Sequence, residues 1–328
     1  MRRRLIAAGK LLLAAVLVAA VGWQFAKLLR SPDLWATAVT VHPEWLVAAG
    51  LLYLGCHTVW ATFFVTLTRR IAGPLPWAAG VRGYFLSQFG KYIPGKAGAI
   101  VLRVLLLRPW GLHPVAVAAT ATYETLTSMA AGALVAAALL PAVTAGDDVR
   151  AKVASGLVLL AGLPVGVVVL VKLAGWLVAR KGGPPLPAPP PLLLLRGLAQ
   201  DALGWLLLGL SLGCTLRGLG FAAGPADYPS HLFAAAASYV VGFVVPTPGG
   251  LGTREWLLQR TLAPALDPGG AGGDAGLAAG ALVAVVLRLV WTVAEVVSAP
   301  LLYWLLPAAP AIPTATPSES GPDDAPAP

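Results

Sequence analysis

The sequence predicts an all-α polytopic membrane protein with about six full transmembrane helices and two opposed re-entrant helical hairpins in an inverted repeat. Three observations lead there. Of 328 residues, 58% are hydrophobic and only 11% charged, roughly half the charge of a soluble domain, and mean hydropathy is +0.78. The apolar residues fall in blocks that can cross about 30 Å of hydrocarbon as helices of about 20 residues. Two further apolar stretches are each broken near the middle by a Pro-Gly cluster.

The full spans are expected at 9–29, 45–67, 113–140, 153–178, 192–215 and 276–305. The first opens on "MRRRLIAAGKLLLAAVLVAAVGW", a basic start and an apolar run like those of a signal peptide. The run continues to Ala26 and meets Lys27 and Arg30 without a small-x-small cleavage site, so a retained span is predicted. The last block exceeds one crossing, which implies tilt or an interfacial end. "GGPPLPAPPP" at 182–191 reads as a stiff polyproline-type linker, and 307–328, rich in Pro, Ala, Ser and Asp, as a disordered cytoplasmic tail. The membrane domain is therefore placed at 1–306, with one repeat at about 45–140 and the second at about 192–306. No segment outside the apolar blocks is long enough for a soluble catalytic domain, so any activity is expected within the membrane part.

Charge sets the orientation. Arg2, Arg3 and Arg4, then Arg69, Arg70 and Arg82, then Arg180 and Lys181 all fall on one side if the amino terminus is cytoplasmic, and six crossings return the carboxyl terminus there. The net charge of +9 is spread through loops. That fits an anionic membrane surface and excludes nucleic acid as a partner. Cys56 and Cys214 are read as buried thiols. His42, His57, His113 and His231 lack metal-ligand spacing, so no metal or cofactor is expected. Trp23, Trp45, Trp77, Trp110, Trp176 and Trp304 lie near span ends, as in an interfacial belt.

The broken stretches, 76–109 and 230–264, align on "PGKAG" (Pro94 to Gly98) and "PGGLG" (Pro248 to Gly252). Each is preceded by an aromatic-containing apolar run and followed by a short helix with arginine: Arg103 and Arg108, then Arg254 and Arg260. Under the orientation above, one starts and ends in the cytoplasm and the other outside, the opposed arrangement of many transporters. Proline removes a backbone donor and glycine permits close approach, so each element is read as a helix that dips in, breaks and returns. The freed N–H groups would face a polar ligand. Broken backbone at that depth needs protein or water around it, so the breaks would line a polar site that lipid alone could not support.

Ionisable residues inside the spans carry a cost of about 2.5–3.5 kcal/mol each at mid-bilayer. They are Glu124, Arg196 with Asp201, Arg288 and Glu295. Arg288 and Glu295, seven apart, share a helix face. Arg196 is expected to snorkel or to pair with Gln200 or Asp201. Glu124 and Arg288 occupy similar places in the two repeats; a cross-repeat ion pair between them, structural glue, and a group facing a hydrophilic lumen with a moving lipid head or proton are the readings left open.

"GKYIPGKAGAIVLRVLLL" followed by "ATYE", then "VPTPGGLGTRE" and "ALVAVVLRLVW", resemble the lysylphosphatidylglycerol synthase transmembrane (flippase-like) family over roughly residues 10–305. The P-x-PGG-x-G-x-x-E pattern (Pro246, Pro248, Gly249, Gly250, Gly252, Glu255) is the most specific part, and "GKY-x-PG" (Lys91, Tyr92, Pro94, Gly95) the second. The resemblance implies a bacterial inner-membrane protein that moves a phospholipid or polyprenyl-linked lipid head group between leaflets. Arg103, Arg254 and Arg288 would attract phosphate, Gly95, Gly98 and the second cluster's glycines would allow close approach, and Glu124, Glu255 and Glu295 would balance charge or relay protons. Members often carry Glu-Arg where this chain has Glu124 and Thr125, so that arginine's role is unfilled or taken elsewhere. The aminoacyl-transferase domain of the fused synthases is absent from these residues, and no nucleophile–base pair marks an intramembrane enzyme. The alternative is a non-transporting membrane subunit that assists a separately encoded lipid-modifying synthase or glycosyltransferase.

Overall fold

A computed structural model describes residues 40–92, 98–144, 148–180, 189–244, 252–267 and 273–306. Nine α-helices appear among them: α1 (Pro43–Ile71), α2 (Trp77–Ser87), α3 (Gly98–Leu107), α4 (Pro114–Thr144), α5 (Val149–Arg180), α6 (Pro191–Gly218), α7 (Tyr228–Val244), α8 (Thr253–Leu266) and α9 (Asp274–Leu305). Five of the six expected full spans are thus single helices; block 9–29 lies outside the described residues, as does the tail from 307. Helices α1, α4, α6 and α9 are long and apolar enough to cross a membrane.

Local chemistry explains the limits of α1. Pro43 occupies the first turn, where its missing N–H costs nothing, with Glu44 beside it, and Arg69 and Arg70 close the last turn, each charge suited to its end of the helix dipole. Along α1, Tyr53, Cys56, Trp60, Phe63, Phe64 and Leu67 point inward, while Val47 and Leu51 remain exposed. Exposed apolar side chains of this kind continue along α5 (Val149, Val153, Leu157, Leu160), as expected for a surface bathed in hydrocarbon.

The centre of the bundle is the contact of α1 with α6. Small residues make it possible. A Cβ on Gly197 would overlap the Phe63 ring, and one on Gly204 would overlap Trp60 Nε1. The two backbones therefore approach as closely as small-residue interfaces in membranes allow. Trp60 Nε1 donates to the Asp201 carbonyl at 3.1 Å, and Ser211 Oγ to the Ala49 carbonyl at 2.8 Å, tying the same helices together.

The quartets α1–α4 and α6–α9 repeat the same order, and their packing partners exchange with it. α1 meets α6; α2 meets α3 as α7 meets α8; α3 meets α4 as α8 meets α9; α4 meets α7 as α9 meets α2. Where the sequence predicts broken helices, the pairs α2/α3 and α7/α8 are found. Their helices have 11, 10, 17 and 14 residues, or roughly 15–25 Å each, so none reaches across about 30 Å alone.

Candidate functional site

The first hairpin puts a cation against the following span. Arg103 on α3 donates through Nη1 to Glu124 Oε2 on α4 at 2.7 Å, and both side chains are 4% exposed. Arg103 Nε donates to Ser87 Oγ at 3.0 Å, and its guanidinium lies 4.4 Å from the Phe64 ring centre and 4.6 Å from that of Tyr84. The charge is held by a carboxylate, a hydroxyl and two π faces, the compensation a buried guanidinium requires.

The second hairpin uses the same parts with the signs exchanged. Here the hairpin helix α8 carries the carboxylate, Glu255, and the span α9 the guanidinium, Arg288, and the two form an ion pair. Glu255 also accepts the Gly252 N–H through Oε2 at 2.7 Å, capping α8 where the backbone passes through φ 83° at Gly252. That left-handed conformation suits glycine, so one carboxylate ties the break to the span.

Arg254 completes the second hairpin differently. Its guanidinium sits 4.3 Å from the Tyr239 ring centre and 4.4 Å from that of Trp291, half-buried. Among the described residues its N–H groups meet no carboxylate and no hydrogen-bond acceptor. Trp291 is pinned in turn: its Nε1 donates to Ser211 Oγ at 2.9 Å, and it stacks on Tyr53 at 4.9 Å. Ring contacts continue from Tyr53 through His57, Trp60 and Trp205 to Tyr239, closing an aromatic circuit around the molecular centre.

An ion pair joins the two halves at Lys91. This lysine lies in the short 3-10 segment Gln88–Tyr92 and pairs with Glu295 on α9, whose carboxylate also accepts the Tyr53 hydroxyl. Glu295 is 5% exposed and Lys91 28%, so the pair is reached from one side.

The structure therefore gathers Lys91, Arg103, Glu124, Arg254, Glu255, Arg288 and Glu295 around the hairpins, and Gly98 opens α3. Tyr92 ends the 3-10 segment, its side chain outside the described residues, as are Pro94, Gly95, Pro246, Pro248, Gly249 and Gly250. Glu124 and Arg288 do not pair with each other: each finds its partner on the preceding short helix of its own half, and among the described residues Lys91–Glu295 is an ion pair across the halves. Arg196 is bonded neither to Gln200 nor to Asp201; Gln200 donates to the Val59 carbonyl at 2.8 Å, and the buried Asp201 carboxylate has no hydrogen-bond partner among the described residues. Sequence reasoning missed Tyr53, Tyr84, Tyr239 and Trp291. The available signal was an aromatic residue far from a span end in a helix adjoining a break. The arginine wanting beside Glu124, where Thr125 stands, is supplied in space by Arg103.

A comparison with the curated proteins finds no match. The family described as Lysylphosphatidylglycerol synthase TM region matches residues 7–294. With helices long and apolar enough to cross a membrane several times, the chain belongs to that family of lipid-handling, multi-pass membrane proteins.

Proposed function

We propose that this protein translocates the head group of a phospholipid or polyprenyl-linked lipid between the leaflets of a bacterial inner membrane, with both termini cytoplasmic and without enzymatic chemistry of its own. On this reading α2/α3 and α7/α8 are re-entrant hairpins entering from opposite faces, and the two quartets are inverted repeats. The short hairpin helices and the exchanged packing partners support that assignment. The observation that carries the function is Arg254: a guanidinium clamped between two rings, with its donors unspent among the described residues, at a half-buried place where both halves converge. A guanidinium in that setting binds a phosphate through paired N–H groups. The flanking pairs Lys91–Glu295 and Arg288–Glu255 offer both signs of charge, so a head group can exchange partners as it moves without meeting bare hydrocarbon.

Leaflet-resolved flipping of a fluorescent phospholipid and of a polyprenyl phosphate in proteoliposomes tests the proposal. Wild type is expected to accelerate at least one of them over protein-free vesicles, and Arg254→Ala, Arg288→Ala and Glu255→Gln to slow it at least tenfold. Equal rates for wild type and all three variants would reject the site.

A further inference from the structure

A second polar feature lies outside the hairpin site, on the outer surface where α1 and α6 run side by side. Two adjoining depressions of about 500 and 600 Å³ share Thr66, Trp77 and Arg196. Their walls are unusual for a surface facing lipid. Thr58, Thr62 and Thr66 follow one another at four-residue steps along one face of α1, and Arg69 and Arg70 continue that face at its end. Arg196 and Gln200, also four apart, face them from α6. Arg69, Arg70 and Arg196 are all exposed, and among the described residues none lies within ion-pair distance of a carboxylate. Arg69 rests 5.7 Å from the ring centre of Trp77, a 44% exposed tryptophan of the interfacial kind. Leu192 and Leu203 line the same groove and are exposed as well.

We infer that this groove is a docking site for an anionic phospholipid, its phosphate held by Arg69, Arg70 and Arg196 and its acyl chains lying against Leu192 and Leu203. The charge argument selects the ligand. Three cations with no protein anion beside them at an apolar–polar boundary attract an anionic head group over a zwitterionic one, and each basic residue near an anionic surface contributes about 1 kcal/mol, roughly fivefold in affinity. Polar continuation of the groove fits the same occupant. Each threonine hydroxyl donates to a carbonyl of its own helix (Thr58 to Leu54 and Thr66 to Thr62 at 2.8 Å, Thr62 to Val59 at 2.7 Å); Thr62 Oγ also accepts from Gln200 Nε2, so the Thr58 and Thr66 oxygens are the ones left to accept from a head-group hydroxyl. A stripe of such groups along a lipid-facing helix is costly against hydrocarbon and favourable against a head group. The site is separate from the buried ion pairs, and its occupancy does not depend on whether the protein transports lipid.

Native mass spectrometry of the full chain, released from micelles doped with phosphatidylglycerol or phosphatidylcholine, reads this directly. Wild type should retain phosphatidylglycerol at least tenfold better than phosphatidylcholine. Each of R69Q, R70Q and R196Q should lower retention about fivefold, and the triple variant should abolish the preference. R150Q/K152Q, which removes two exposed cations elsewhere, should leave it unchanged. Excess inorganic phosphate should not displace the lipid. Equal retention of the two lipids by wild type, an unaltered triple variant, an equal loss in R150Q/K152Q, or displacement by inorganic phosphate would each overturn the assignment. Thermal unfolding of the same preparations controls for folding, since all five positions are exposed and should not shift it.

Discussion

Truncating Glu124 to alanine should be among the most damaging single changes in the bundle, and the geometry sets the size of the effect. The carboxylate and the Arg103 guanidinium are 2.7 Å apart and both 4% exposed, so removing one leaves the other charged and walled off from water. Two unit charges about 4 Å apart interact by about 4 kcal/mol at an effective dielectric constant near 20, and truncating one member of a buried pair costs about 3–5 kcal/mol. Ser87 and the rings of Phe64 and Tyr84 remain around Arg103, but they supply only a hydrogen bond to an uncharged hydroxyl and cation–π attraction of up to about 2 kcal/mol, already present in the wild type. Glu124→Ala should therefore lose about 3–5 kcal/mol. Glu124→Gln leaves the same charge unpaired but keeps an acceptor oxygen, so it should lose less than Glu124→Ala by about 0.5–1.5 kcal/mol, the contribution of one hydrogen bond. Arg103→Leu with Glu124→Leu should cost less than the sum of the single changes by at least 2 kcal/mol, because neither charge is left stranded. Reversible unfolding in mixed micelles, followed by circular dichroism, measures all five variants. If the single losses simply add in the double variant, the two side chains are not coupled and the reasoning fails.

Three further outcomes follow from local geometry. Gly204→Ala would drive a methyl into Trp60 and should destabilise by about 1–3 kcal/mol in the same assay, whereas Gly156→Ala, with open space around its Cβ, should not destabilise. Gly252→Ala should lose about 1–2 kcal/mol from the left-handed conformation alone, since nothing lies within 4 Å of the added carbon. Arg254→Lys keeps the charge but loses the planar fork between Tyr239 and Trp291, so it should retain less than a tenth of wild-type lipid movement in proteoliposomes at unchanged thermal stability.

Much of this arrangement was readable along the chain. Block length and apolarity placed the long helices to within a few residues, because a hydrocarbon slab imposes its own ruler. The Pro-Gly clusters lie largely outside the described residues, but the stretches they interrupt are separate short helices on either side, α2 and α3, then α7 and α8, as expected where proline and glycine end a helix. Pairing was less legible. Glu124 and Arg288 sit at equivalent places, yet α3 covers α4 and α8 covers α9, so each charge meets its own hairpin before it can reach across. The ion pair across the halves comes from Lys91, in a segment too short for a periodic signal. The aromatic clamps were illegible for a related reason: Tyr239 and Trp291 are far apart in sequence, and only packing of α7 and α9 around α8 brings both onto Arg254.

The central claim is that head groups pass where the two halves meet, and exchanging the charges at that meeting point tests it most directly. Lipid flipping in proteoliposomes should fall at least tenfold for Lys91→Glu and for Glu295→Lys, each of which sets like charges face to face. Combining them should restore a substantial part of the wild-type rate, because the pair is re-formed with its signs exchanged. Wild-type rates in both single variants, from preparations that remain folded, would contradict the account.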